Sequence, residues 1–326
     1  MAISVSNPRK QAEGVLGSHT AFIFPGQGSQ EVGMGRDLYE ESPAARRVFQ
    51  EADEALGTPI TQLMFQGPSE ELQRTINSQP AILTVSLACL AAAQEQAGTE
   101  LSPYIQFVAG HSLGEYTALA AAGVLEAAEA IWLVRERGRI MQEACDRAPG
   151  SMAAILGLGE AAMAEICKET GTQIANINAP GQIVISGEQA KVAQAVELAS
   201  KRGAKRAISL PVSGAFHSYL MAPTLNDMAK ALEAVHLRNP TTPVIANCSA
   251  KPLTSATDVK EELIQQLCGC VRWSNCVEYM VSAGVTNFVE FGPGKVLSGM
   301  VKRIAGDAHT ASVTNLASAQ SLFNES

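Results

Sequence analysis

The sequence predicts an α/β protein: a parallel sheet covered by helices, with a smaller ferredoxin-like βαββαβ unit inserted into it. Two changes of rhythm carry this expectation. Over residues 21–148 short apolar runs at 21–24 and 105–109 alternate with long helical patterns such as 126–143. Strands alternating with helices build parallel sheets, whose strands are apolar on both faces. Over residues 150–212 the pattern tightens to strand 152–158, helix 160–169, strands 173–177 and 182–186 around an Asn178-Ala179-Pro180-Gly181 turn, helix 189–202 and strand 206–210. That order is the split βαβ arrangement. The alternating rhythm then resumes with helix 221–235, strands 242–247 and 287–291, and the turn Gly292-Pro293-Gly294.

These boundaries predict a flexible N-terminal tail over 1–19, a large catalytic α/β unit formed by 20–148 and 213–326, and a small unit over 149–212. Two units built this way enclose a cleft, the expected place for a site. The 326 residues allow a substantial core, and with 46% apolar but only 5% aromatic residues that core must be mainly aliphatic. The longest apolar stretch, residues 81–93, is read as a buried helix too short to span a bilayer. Lys and Arg number 24 against 32 Asp and Glu, a net charge of −8 that argues against nucleic-acid binding. Seven cysteines without CxxC spacing suggest reduced thiols and neither a disulfide framework nor a zinc site. The first residues lack the apolar core of a secretory signal, so a cytoplasmic protein with no membrane association is expected.

The sharpest motif is Gly110-His111-Ser112-Leu113-Gly114, a GxSxG between an apolar strand and a helical run. A strand-turn-helix elbow of this kind exposes a serine hydroxyl above a helix N-terminus whose amides can stabilise an oxyanion. Serine needs a base. Of the five histidines, His19 lies in the tail, His111 should point away from its chain neighbour, His236 ends a helix and His309 sits in a polar segment. His217, in Ser213-Gly214-Ala215-Phe216-His217-Ser218, begins the return to the main sheet at the cleft rim and is the best candidate. No carboxylate stands out as its partner; Glu290 is one option, and a main-chain carbonyl could serve instead, because orienting the ring needs only an acceptor for Nδ1–H. Gln27 lies in a glycine-flanked loop after the first strand, close enough in backbone terms to reach a ligand, and the loop lacks the GK[ST] ending of a phosphate loop. Arg135, Arg137 and Arg139 diverge around one helix, so at most one or two face the cleft. A buried arginine there would call for an anion such as a substrate carboxylate.

FPGQGSQ (24–30), GHSLGEY (110–116), Arg137-Gly138, NINAPGQIVISG (176–187), SGAFHS (213–218) and FGPGKVL (291–297) together closely resemble the malonyl-CoA:acyl carrier protein transacylases, over about residues 20–315. The resemblance implies a hydrolase-like α/β unit with a ferredoxin-like insertion. It also implies a malonyl transfer from coenzyme A to the phosphopantetheine thiol of acyl carrier protein, through a malonyl-serine at Ser112, in fatty-acid or polyketide synthesis. By the same likeness His217 is the base, the amides of Gln27 and Leu113 form the oxyanion hole, and Arg137 clamps the malonyl carboxylate. Asn176 and Asn178 would line the cleft, Phe216 would select malonyl, and a main-chain carbonyl near Val271-Arg272-Trp273 would orient His217. No metal or resident cofactor is implied, and a monomer is expected. Cys268-Gly269-Cys270 and the first 20 residues depart from the family's pattern. Carrier proteins of this kind are acidic, so local basic groups must receive them; Lys201-Arg202, Lys205-Arg206 and Lys302-Arg303 are the candidates. A hydrolase releasing acyl groups from carrier proteins on the same scaffold has no use for Arg137, and a non-catalytic docking subunit needs neither Ser112 nor His217.

Overall fold

In the computed structural model, residues 16, 17, 19–212 and 214–323 are described. The strands are β1 (Thr20–Phe24), β2 (Phe107–Gly110), β3 (Gly150–Leu156), β4 (Gln173–Ala179), β5 (Gln182–Glu188), β6 (Arg206–Ser209), β7 (Val244–Ile245), β8 (Pro252–Leu253), β9 (Asn287–Phe291) and β10 (His309–Val313). Six of them form one sheet in the order β10-β9-β1-β2-β7-β8. All its pairings are parallel except that of the edge strand β8. β1 is buried along its whole length, as a central parallel strand should be. Its alternate residues feed two cores: Phe22 and Phe24 pack on one face, Ala21 and Ile23 on the other.

The predicted buried helix is Thr75–Ala97. At 23 residues it is long and apolar enough to cross a membrane, contrary to the shortness expected of the apolar run, but 83% of its most apolar window is buried within the fold. It packs against the helices Pro43–Leu56 and Ala127–Arg147. The second contact is close because Gly138 is a glycine: a Cβ there would sit 2.8 Å from the backbone of Ile76.

The second sheet is antiparallel, in the order β4-β5-β3-β6. With the helices Glu160–Thr170 and Gln189–Lys201 it reads βαββαβ along the chain. Ala153, Ile155, Ile183 and Ile185 pack under its two helices, while Met152, Ala175 and Val184 join the main core on the opposite face. The small sheet is tied to the segment before the helix Trp273–Ser282, where Ile177 N–H donates to Val271 C=O (2.9 Å) and Val271 N–H to Ala175 C=O (2.8 Å).

Several boundaries differ from the sequence expectation, for local reasons. Asn178 and Ala179 belong to β4, which leaves Pro180-Gly181 to make the turn. The expected helix over 221–235 splits into a 3-10 turn, Tyr219–Thr224, and the helix Leu225–Glu233; Pro223 disfavours the α conformation in the residue before it. The strand expected over 242–247 shrinks to two residues. β8 and β10 were not anticipated, and His309 opens β10, whose half-exposed residues at the sheet edge look polar in sequence. Most of the expected tail lies outside the described residues. Within it, Leu16 is buried in the core, and the His19 carbonyl accepts from Thr286 and Asn287.

The helix Leu113–Ala121 starts hard against the end of β1: a Cβ on Gly114 would lie 2.1 Å from the Phe24 carbonyl oxygen. Main chain cannot yield as a flexible side chain does, so Gly114→Ala should cost about 3 kcal/mol, the upper end for overpacking. Chemical denaturation reads this directly, and an unchanged midpoint would contradict it.

Candidate active site

Ser112 sits between β2 and the helix Leu113–Ala121 with φ 52° and ψ −102°. L residues avoid this conformation, so it must be imposed from outside. Gly110 makes it possible: a Cβ there would fall 1.9 Å from the backbone of Gly114. The turn lifts Ser112 Oγ to 2.7 Å from His217 Nε2. His217 is itself at φ 55° and is 4% exposed. Its Nδ1 lies 2.8 Å from the Gln266 carbonyl and 3.1 Å from that of Gly269. Two carbonyls can only accept, so Nδ1 carries the proton and the Nε2 lone pair faces the serine hydroxyl. The acceptors fall a few residues before the 271–273 segment that the resemblance pointed to. Glu290 is not involved, because its carboxylate accepts the amides of Leu297 (3.1 Å) and Ser298 (2.8 Å) at the start of the helix Val296–Ile304.

Arg137, 1% exposed, reaches the same point from the helix Ala127–Arg147. Its guanidinium donates to Ser112 Oγ (3.1 Å), Gln79 Oε1 (2.7 Å) and Gln266 Oε1 (2.9 Å). It also lies 5.2 Å from the centre of the Tyr116 ring, and its Nε–H has no hydrogen-bond partner among the described residues. The acceptors within hydrogen-bond reach are neutral, an arrangement that leaves the cation suited to an incoming anion. Arg135 turns to Asn77 (2.8 Å), and Arg139 pairs at the half-exposed surface with Glu136 and Glu143. Burial first, and then the positive charge of Arg137, push the His217 imidazole down to about 3.

These groups line a cleft of about 480 Å³ between the two sheets, whose walls include Gln27, Leu113, Asn176, Met141, Met152 and Phe216. Gln27 is exposed at the mouth, its side chain donating to Thr75 Oγ1 (3.1 Å). Leu113 is the first residue of its helix, so its amide has no intrahelical acceptor. The Ser112 amide, by contrast, is bonded to Asn247 Oδ1 at 2.6 Å. Phe216 and Asn176 are buried. Asn178 is buried, its Oδ1 2.9 Å from Nε2 of His111, which lines the cleft. His111 thus reaches across to the inserted sheet, with Trp273 beside it (ring centres 5.9 Å apart).

Sequence reasoning missed four buried polar residues: Gln79, Asn247, Gln266 and Glu115. Glu115 was visible in the elbow motif itself. The other three come from distant segments with no local pattern to mark them. Burial, then the neighbouring Glu262, push the Glu115 carboxyl well above the usual carboxylate range.

An elbow serine, a histidine held by main-chain carbonyls and an arginine in the cleft define the class, an acyl transferase on an α/β scaffold. Residues 21–320 match the family described as acyl transferase domain. A malonyl CoA-acyl carrier protein transacylase of Bacillus subtilis (strain 168) is 48% identical over 303 residues, covering 91% of this chain and 94% of the relative. The crystal structure of an acyl-carrier-protein S-malonyltransferase from Bartonella henselae matches with a TM-score of 0.90 at 45% identity, over 94% of this chain and 98% of that one. A malonyl-transacylase solved in complex with its type II polyketide-synthase acyl-carrier protein matches with a TM-score of 0.90 at 40% identity, over 95% of this chain and 100% of that one. The chain belongs to the malonyl CoA-acyl carrier protein transacylase family.

With its pKa near 3, His217 is neutral and ready to accept a proton throughout the ordinary pH range. The rate of Ser112 acylation should therefore stay level from about pH 8 to about pH 5, with no fall near the ordinary histidine value of about 6.5. A half-loss of rate near that value in single-turnover acylation would contradict the assignment.

Proposed function

We propose that this chain transfers malonyl from coenzyme A to the phosphopantetheine thiol of an acyl carrier protein in two steps through a malonyl ester on Ser112. The observation that carries the reading is Arg137, a buried guanidinium bonded to the serine hydroxyl and to neutral amide oxygens. Ser112 Oγ attacks the thioester carbonyl while His217 Nε2 takes its proton. The oxyanion is met by the amides of Leu113 and Gln27, each worth about 2.7–4 kcal/mol if an oxyanion-hole donor of ordinary strength. Collapse breaks the carbon–sulfur bond, and the coenzyme A thiolate takes the proton back from His217. The carrier's thiol then gives its proton to His217, attacks the serine ester and releases Ser112, which recovers that proton. This chemistry uses only side chains and main-chain amides of this chain.

Arg137 binds the malonyl carboxylate, with Asn176 and Phe216 shaping the wall beside it. A neutral acyl group leaves the guanidinium with no hydrogen-bonded anion, which disfavours the hydrolase alternative. Of the basic candidates for receiving the acidic carrier or the coenzyme A phosphates, Lys205, Arg206 and Arg303 line a cavity of about 520 Å³ beside the Pro180-Gly181 turn. Arg202 is instead paired with Glu165 and Glu169, and Lys302 donates to the Ala308 carbonyl. Supply of malonyl groups to fatty-acid synthesis fits the family's name. A cytoplasmic setting is supported by seven cysteines that are all free thiols. A monomer is supported by the exposed large apolar residues Val32, Ile208, Tyr219, Val281 and Val296 falling in five separate segments.

Arg137→Ala should lower malonyl transfer by roughly 10²–10³-fold, the scale of breaking a buried ion pair of about 3–5 kcal/mol, and raise the relative rate with acetyl-CoA. An unchanged malonyl-to-acetyl ratio would remove Arg137 from substrate selection.

A further inference from the structure

Glu115 lies three residues beyond Ser112, is fully buried, and has no part in the transfer steps above. Its carboxylate accepts the main-chain N–H of Asn247 at 3.1 Å and the side-chain amide of Gln266. Those two residues grip both ends of the nucleophile's own backbone. Asn247 Oδ1 accepts from Ser112 N–H (2.6 Å), and Gln266 Nε2 donates to Ser112 C=O (2.9 Å). Asn247 Nδ2 also donates to Gly110 C=O at 2.7 Å. The parallel pairing of β2 with β7 runs only through Val108–Val244 and Ala109–Ile245, so the Asn247 side chain continues the sheet's hydrogen bonding just where the elbow leaves it.

We propose that Glu115 is a positioning residue, whose carboxylate sets Asn247 and Gln266 so that together they hold the Ser112 peptide and aim its hydroxyl at His217. This rests on Ser112 being the nucleophile. Burying an acid is costly, and Glu262 beside it adds to the cost, so a plain packing role would be better filled by a neutral residue. The donor pattern explains the acid. Two N–H groups from separate elements, the Asn247 amide and the Gln266 side chain, point at the two oxygens. Both oxygens of a carboxyl group keep lone pairs that accept, whereas a glutamine offers one acceptor and turns an NH₂ against the other donor. Gln266 cannot rotate to escape, because its Oε1 accepts from Arg137 and its main-chain carbonyl holds His217.

The test uses Glu115→Gln, which preserves shape, and Asn247→Ala, which does not touch Arg137. Each is checked for folding by thermal melting. Two readouts follow: the rate of Ser112 labelling by a fluorophosphonate probe, which carries no carboxylate for Arg137, and the kinetics of malonyl transfer. Folded variants should label more slowly than wild type, and Asn247→Ala should lose kcat on the order of 10²-fold, the effect of a small misplacement of a reacting group. Its KM for malonyl-CoA should stay within about twofold, because uniform binding is untouched. Wild-type labelling rates in the folded variants, a loss confined to KM, or failure of Glu115→Gln to fold would each overturn the proposal. Labelling of wild type at a residue other than Ser112 would instead overturn the nucleophile on which it rests.

Discussion

Everything in this site depends on holding one serine peptide in a conformation that costs about 1–3 kcal/mol. Left to itself the chain would relax at Ser112, and Oγ would swing away from His217. The restraints come from three directions. Gly110 and Gly114 remove the Cβ atoms that would push strand and helix apart. Asn247 and Gln266 hold the peptide on either side of the strained residue. The helix beginning at Leu113 leaves that residue's amide without an intrahelical acceptor beside the serine. The inserted sheet closes the cleft from the other side, tied in by the backbone bonds to Val271, a short distance along the chain from the carbonyls that hold His217.

One buried cation lies beside both the nucleophile and its base. Arg137 lies against the serine hydroxyl, and after burial its positive charge is the next cause that lowers the basicity of His217. In the proposed reaction a malonyl carboxylate would pair with that charge beside the base that takes the serine's proton. A neutral acyl group brings no such compensation.

Much of this was legible in the sequence because local rules produce it. The alternation of apolar runs with helical periods placed β1, β2 and β9 and the βαββαβ insertion. The GxSxG spacing announced the elbow because only glycine fits where backbone meets backbone. His217 could be chosen by its place after the insertion, while Arg137 stood among three diverging helix arginines until the resemblance singled it out. What failed to show has a common cause, which is dependence on contacts between distant segments. β8 and β10 are short or half-exposed, so neither carries a strong period. Asn178 was expected in a turn but extends β4, and its partner is set by where His111 turns, which no spacing reveals. Asn247 and Gln266 are ordinary polar residues until the fold brings them beneath Ser112, and a main-chain carbonyl as the partner of His217 has no sequence signature at all.

The covalent intermediate is the central claim. Intact mass of the protein after brief incubation with malonyl-CoA, and again after adding holo-acyl carrier protein, tests it most directly. The account predicts one malonyl group on the wild-type chain, none on Ser112→Ala, and its passage onto the carrier's phosphopantetheine. An adduct that survives in Ser112→Ala, or that decays to free malonate equally fast with and without carrier, would contradict it.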